Sequence, residues 1–401
     1  MDGIGAQRQL DDAPVPTGGS SLPSRAMSAS TTAGATATVI ATAAGLEPIA
    51  DDWRRLAEAE GNPYLTPEWH ATALAAGGGP VVIAVRSAAG ELEGVLPLVR
   101  RARGPLRALG FPADDLGDTY TMLTAAGADR EAVARLAGAA LRASGLRWDT
   151  ITLAYVDPGA AWLRGFTAGL GGVSVLTRST VVRPYVDLSS GDWTAFLAGL
   201  KRTDRKETRR RERRALEAGA VYRLAEDPAG AGDAMAELFR LHDLRWSERG
   251  DSSVASAEIR GFLVDFAAAA AARGWLRLWF IDIDGRPVAA ELAWRVGDRQ
   301  LHYQGGFDPE HAALGLGLVT FAHALEDAIG AGVVEADLGM GESDYKRRFA
   351  RDERVAARLV VVRRLHPARP ALAAGFWARR RLVALLSPEH KARLRRLLRR
   401  S

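Results

Sequence analysis

Lys346 closes the string Asp344-Tyr345-Lys346, just after the glycine-bearing turn Gly339-Met340-Gly341. A lysine on a loop held by a rigid sheet can neutralise a phosphate or a charge that develops during a reaction. Tyr345 beside it carries a hydroxyl able to give or take a proton. Glu291 stands inside an otherwise apolar run, AAELAWRV. Buried among Ala, Leu and Trp, its carboxyl would titrate high and suit a general base. Facing outward, it would instead pair with Arg295 or a neighbouring arginine. His302 is an alternative base on the following run. Strand alternation places Gln304 on the same face as His302 and Tyr303 on the other. Arg245 either meets an anionic group of a substrate or fixes a helix to the sheet through a carboxylate.

A second group of residues suits binding rather than reaction. Gly315-Leu316-Gly317-Leu318 lies between a β-rich run and an amphipathic run. A helix starting there offers amides without intrahelical partners and the positive end of its dipole, a site for a phosphate. Gly315 and Gly317 remove side chains where a pyrophosphate would approach the backbone. The same glycines also permit plain helix–strand packing.

Two hairpins position these residues. Val81–Ser87 and Glu91–Val99 flank Ala89-Gly90, and Trp275–Ile283 and Pro287–Val296 flank Asp284-Gly285, a tight-turn signal. Each is followed by a helical run (Arg130–Ser144 and Leu316–Ala331) and then a strand (Trp148–Ala154 and Val333–Leu338). The repeated order reads as two copies of one fold. Before the second copy, Met235, Leu238, Phe239, His242, Arg245 and Trp246 share a helical face, as do Ile259, Phe262, Leu263 and Phe266. Thr66-Pro67 suits a helix start, and Ala357–Arg363 reads as a last strand. The organisation is a disordered tail over 1–35, domains over 36–180 and 181–365, and a basic helical tail over 366–401.

Composition narrows the chemistry. Hydrophobic residues make up 47% of 401, enough for a sizeable core. There is no cysteine, which excludes disulfides, thiolate nucleophiles and thiolate-bound metals. Seven histidines show no metal-ligand spacing, so no metal is expected. The net charge of +5 is unevenly spread: residues 366–401 hold ten Lys/Arg against one Glu, and residues 201–214 nine against three acids. The rest of the chain is acidic, so basicity belongs to two segments. The first is a helical run that is either a solvated face or a contact for a phosphate-bearing partner. The second is amphipathic and suits peripheral contact with an anionic membrane surface. No run of apolar residues is long enough to span a bilayer, and no secretory signal opens the chain. A cytoplasmic location is expected, with the tail available to the inner membrane face.

Six strings carry a family resemblance: FLAGLKRTDRKETRRRERRAL (196–216), LHDLRWSERG (241–250), GRPVAA (285–290), FDPE (307–310), the run 317–332, and DLGMGESDYK (337–346). With the element order around them, they resemble the GCN5-related N-acetyltransferases, or GNAT superfamily. Residues from about 181 to 364 are similar to the acetyltransferase domain of bacterial cellulose or exopolysaccharide biosynthesis proteins. That domain is related to the FemAB aminoacyl transferases, which build two GNAT-like copies in one chain. The resemblance implies an α/β (α+β) fold of two tandem GNAT-like domains, each a mixed, mostly antiparallel twisted sheet flanked by helices.

It also implies an acyltransferase. Acetyl-CoA, or another acyl-CoA, would bind at Gly315, Leu316, Gly317 and Leu318. The acyl group would pass directly to an amine or hydroxyl of a small-molecule or glycan-precursor acceptor. Tyr345 would protonate the leaving thiolate and Lys346 would neutralise charge. Arg245 and Gln304 would contact the acceptor. The family loop usually begins with Gln or Arg, where this chain has Ala312. Aminoacyl transfer from tRNA is the alternative, with the basic run as part of its footprint. A non-catalytic scaffold with a degraded donor loop is the alternative of another class.

Overall fold

The computed structural model describes residues 34–103, 106–246, 254, 256–340 and 344–385. The expected tail over 1–35 lies almost wholly outside them, as does the end of the basic tail from residue 386. The first half runs β1 (Thr36–Ile40), α1 (Ala50–Glu60), α2 (Pro67–Ala75), β2 (Pro80–Arg86), β3 (Leu92–Arg103), β4 (Leu106–Gly110), β5 (Leu123–Thr124), α3 (Arg130–Ala143), β6 (Thr150–Val156), α4 (Ala161–Leu170) and β7 (Val173–Asp187). The second runs α5 (Trp193–Gly199), α6 (Arg202–Glu217), β8 (Val221–Ala225), α7 (Ala231–Trp246), α8 (Ala257–Ala272), β9 (Leu276–Ile283), β10 (Arg286–Val296), β11 (Arg299–Phe307), α9 (Leu316–Gly330), β12 (Glu335–Asp337), α10 (Asp344–Phe349) and β13 (Asp352–Arg363). α11 (Arg369–Leu385) follows.

Local chemistry sets these boundaries. Thr66 caps α2, its hydroxyl accepting from the Trp69 amide, with Pro67 in the first turn. Asp284, at φ 51, and Gly285, at φ 72, give the β9–β10 hairpin two left-handed turn residues. The two copies appear as the same succession of hairpin, strand, helix and strand. Two boundaries differ from the sequence reading. β12 keeps only three residues, its ladder with β11 ending at Leu301 opposite Asp337. β7 is a fifteen-residue strand that the motif reading did not pick out.

All the strands join one mixed, mostly antiparallel sheet, in the order β1-β2-β3-β4-β6-β13-β7-β12-β11-β10-β9-β8, with β5 beside β3. The centre of this order is an exchange. The last strand of the second half, β13, lies between β6 and β7 of the first, and β7 pairs in turn with β12. β7 also runs through residue 180. The halves therefore share their middle strands.

Parallel pairing is brief in both halves. β4 pairs with β6 over Ala108–Gly110, and β11 with β12 over Arg299–Leu301. Beyond these three-residue ladders the strands part, leaving a gap in the sheet. Helices cover both faces, and the largest core runs across the halves. Trp69 of α2 meets Phe262 and Phe266 of α8 edge-on, with ring centroids 4.8 Å apart in each pair. A Trp69→Ala change would cost about 3–5 kcal/mol.

Candidate functional site

The binding loop is built from a cap and a turn. After β11, Asp308 accepts from the Glu310 amide and starts a short 3-10 helix, Pro309–Leu314. Gly315 ends that helix and begins α9 at φ 68, ψ 40, with no side chain capping α9. The left-handed backbone favours glycine, and a Cβ, 1.6 Å from Nη1 of Arg211, would push that guanidinium aside. Arg211 comes from α6, held by an Nε bond of 2.6 Å to Glu207 Oε1. A guanidinium thus lies over an uncapped helix start, an arrangement that fits a phosphate.

The four residues expected to bind a donor, Gly315, Leu316, Gly317 and Leu318, divide by what surrounds them. Leu316 and Leu318 bury their side chains in the cores on either side of α9. The Leu318 amide is already bonded to Gly315 O at 3.0 Å. The Gly315 amide is likewise bonded to Ala312 O at 3.0 Å, so what remains for an anion is the Leu316 and Gly317 amides, together with Arg211. The sequence marked α6 as a basic run, but only packing brings Arg211 to the loop. There it supplies the cation that Ala312 cannot.

The gap between β11 and β12 holds a buried charged cluster. Asp337 ends the parallel ladder opposite Leu301 and forms an ion pair with Arg183 of β7. It also accepts from the Gly339 amide at 2.8 Å. Lys346, 2% exposed, reaches back from α10 and donates to Met340 O at 2.8 Å. Burial pushes its pKa down to about 8, against the opposing pull of Asp118, Asp337 and Glu291. Asp118 comes from the first half and accepts from the Met340 backbone amide. Burial pushes its carboxyl up to about 6, although Arg183 and Lys346 pull it down. Both sides of the Met340 peptide are therefore held by groups of opposite charge.

Glu291 faces this cluster at the end of a hydrogen-bonded chain. Asp327 pairs with Arg295, whose guanidinium donates to Gln300 Oε1 at 3.0 and 3.2 Å. That fixes the Gln300 amide, so its Nε2 donates to Ala324 O at 3.1 Å and to His302 Nε2 at 3.2 Å. His302 is then the Nδ1–H tautomer and donates to Glu291 Oε1 at 2.9 Å. Both imidazole nitrogens are engaged, which leaves His302 no lone pair for a substrate proton. It orients Glu291, whose other oxygen is free of this bond. The outward reading of Glu291 as an Arg295 partner does not hold, since Arg295 bonds to Gln300 and Asp327.

Gln304 departs from the expected alternation. Ala293 pairs with His302 but Leu292 with Gln304, so Tyr303 is an extra residue in β11. Leu292 and Ala293 point to opposite faces, and the bulge therefore sends His302 and Gln304 to opposite faces as well. Gly306, on the Gln304 side, lets α7 come close: a Cβ there would stand 2.4 Å from His242 N. Gln304 is buried on the α7 face, away from His302. Arg245 lies on α7 beside the end of β11, with Nη1 3.4 Å from Gly305 O and its guanidinium 5.0 Å from the Phe307 ring centre. The side chains of Tyr345 and Trp246, and all of Arg249, fall outside the described residues.

Sequence reasoning missed Asp118, Arg183, Asp337 and Arg211. Asp337 stood inside the DLGMGESDYK string and Arg211 inside the basic run. Asp118 and Arg183 carried no local signal, because long-range pairing alone places them. Among the described residues no group of His, Asp and Glu could hold a metal ion.

Comparison with known proteins agrees with this arrangement. Residues 202–347 match the family described as Acetyltransferase (GNAT) domain. No functionally curated protein matches the chain by sequence. Among solved structures, FemX is similar with a TM-score of 0.60 at 12% identity, covering 80% of this chain and 97% of that one. The C-terminal domain (DUF2156) of a protein assigned as a lysylphosphatidylglycerol synthetase, from Agrobacterium fabrum, is similar with a TM-score of 0.50 at 14% identity, covering 83% and 96%. At these identities the likeness is one of fold. The glycine loop, the parted strands and the buried lysine all fall within residues 202–347, the segment that is similar to the GNAT acetyltransferase domain.

Proposed function

We propose that the protein transfers an acyl group from acyl-CoA, acetyl-CoA in the first instance, directly to an amine of an acceptor at the gap between β11 and β12. One observation carries this reading. The anion cradle of Gly315 and Arg211 stands at the end of the same strand, β11, that opens onto Lys346 and Glu291.

The residues divide the work as follows. Glu291, oriented by His302, takes the proton that the attacking amine must lose. The Lys346 ammonium stabilises the oxyanion formed as the C–N bond is made. When the C–S bond breaks, Lys346 is suited to protonate the thiolate. Its pKa of about 8 lies close to that of an ordinary thiol, about 8.5. Asp118 and Asp337 keep the ammonium favourable in a buried place. No enzyme-bound intermediate is needed.

Titration calorimetry with acetyl-CoA tests the donor. A Cβ at Gly317 meets only Phe307, at 3.5 Å, so Gly317→Glu is accommodated and sets a carboxylate in the cradle. Binding should fall at least about 30-fold, roughly 2 kcal/mol. Absence of binding by the parent protein would overturn the acyl-CoA reading.

A second reading rests on α6. Arg202, Lys206, Arg209, Arg210 and Arg213 are exposed on the helix that carries Arg211. Such a row suits a longer polyanion, as in aminoacyl transfer from tRNA. Affinity for charged tRNA would then fall steeply with salt. Charged tRNA left intact in the presence of candidate acceptors would count against it.

A further inference from the structure

A cavity of about 760 Å³ lies at the seam of the halves, apart from the α9 loop. One wall is the start of α4, lined by Gly159, Ala160 and Ala161. This helix is ten residues long, and Ala160 in the cap position provides no side-chain hydrogen bond. The Leu163 amide bonds to Ala160 O at 3.2 Å, which leaves the Ala161 and Trp162 amides without an intrahelical acceptor at the positive end of the dipole. Another part of the wall is Arg183, 7% exposed, whose buried Nε has no hydrogen-bond partner. A buried donor left unpaired costs about 1–3 kcal/mol, and an anion arriving in the cavity would satisfy it.

The charges at this site are matched, Arg183 by Asp337 through its Nη2. Arg130 is matched by Glu60, and Arg354 and Arg299 are both matched by Glu335. Asp157, at the same wall, is turned onto the Gly159 amide, 2.7 Å away. The donors left over are the Ala161 and Trp162 amides and Arg183 Nε. Asp337 lines the cavity and also lies within electrostatic reach of Lys346. Asp337 thus links the cavity wall to the Lys346 cluster, on a side the α9 cradle does not use.

We infer that this cavity takes the acceptor, and that the acceptor is a small amine bearing an anionic group, a carboxylate or a phosphate. The anionic group is held between the start of α4 and Arg183. The amine lies on the Asp337 side, where a carboxylate attracts an ammonium before the proton is lost. The word acceptor rests on the acyl-transfer reading; the anion site does not, and the test separates the two.

Calorimetry on the full chain without donor would use two anionic probes and their uncharged counterparts. Glucosamine 6-phosphate is compared with glucosamine, and glycylglycine with glycylglycinamide. At least one anionic probe should bind about tenfold or more tightly than its counterpart, and which one does so identifies the group. Ala161→Glu places a carboxylate at the helix start, a position that favours it in the folded protein. It should weaken that probe at least about tenfold and leave acetyl-CoA binding unchanged. Arg183→Gln should weaken it as well. Equal binding of charged and uncharged probes, or unchanged binding in Ala161→Glu, would overturn the inference. Anion binding without acetyl-CoA binding would sustain the site and sink the donor.

Discussion

The two halves begin their corresponding helices in opposite ways. α9 starts at Gly315 with no cap and with Arg211 above it. α3 starts at Asp129, whose carboxylate accepts from the Glu131 and Ala132 amides. A carboxylate already occupies the place where a phosphate would sit, and its charge repels another. The strand gaps differ in the same sense. In the first half, Tyr120 joins the parted ends: its amide bonds to Tyr155 O of β6, and its ring stacks at 4.8 Å on Phe111, just after β4. In the second half the gap holds Lys346, Glu291 and Asp337. The corresponding gap is closed by an aromatic ring in one copy and lined by charged groups in the other.

That contrast breaks most visibly at Lys346. Lys346→Met should lower kcat about a thousandfold, within the range seen when a group that stabilises or protonates the transition state is lost. The alkaline limb of the parent rate profile should lie near pH 8, where the ammonium is lost. Glu291→Gln should lower kcat about a hundredfold. His302→Gln should cost less, and its loss should appear in kcat more than in KM, as for a positioning residue.

The helix starts give a matched pair of smaller effects. Gly317→Glu should abolish most donor affinity with little change in stability. Asp129→Ala should do the reverse, costing about 1 kcal/mol of stability with donor affinity unchanged. A loss of donor binding in Asp129→Ala would erase the distinction between the halves.

The same cluster gives a pH dependence of stability. Lys346 titrates near 8 when folded and near 10.5 when unfolded, so the unfolded chain binds more protons between these values. This group's contribution to stability therefore rises from pH 8 to pH 10.5. Asp118 works in the opposite direction. Its folded pKa of about 6 exceeds 3.8, so its contribution falls as pH rises from about 4 to 6. Urea midpoints across pH should show the alkaline rise in the parent and not in Lys346→Met.

Much of the fold was legible locally. Hairpin turns, the Thr66-Pro67 start and the helical faces of α7 and α8 depend on neighbours within a few residues, where sequence period and capping chemistry act directly. The Gly315 loop was legible for the same reason: only glycine combines a left-handed backbone with an open helix start. Gln304 was misplaced because one extra residue at Tyr303 reverses every later side chain, and nothing in the strand's composition marks that residue.

The sequence by itself determined the two-copy order, the absence of thiol chemistry, the glycine cradle and the lysine at the end of the Asp344–Lys346 string. Tertiary structure decided what these become. It exchanged β7 and β13 between the halves, brought Asp118 and Arg183 to Lys346, and laid Arg211 over Gly315. It also turned His302 from a candidate base into the support of Glu291. The reason is physical: capping and period act over one or two turns of chain. Desolvation, ion pairing and tautomer choice depend on groups brought together from 65 to 228 residues apart, the separations of Arg183 and Lys346 from Asp118.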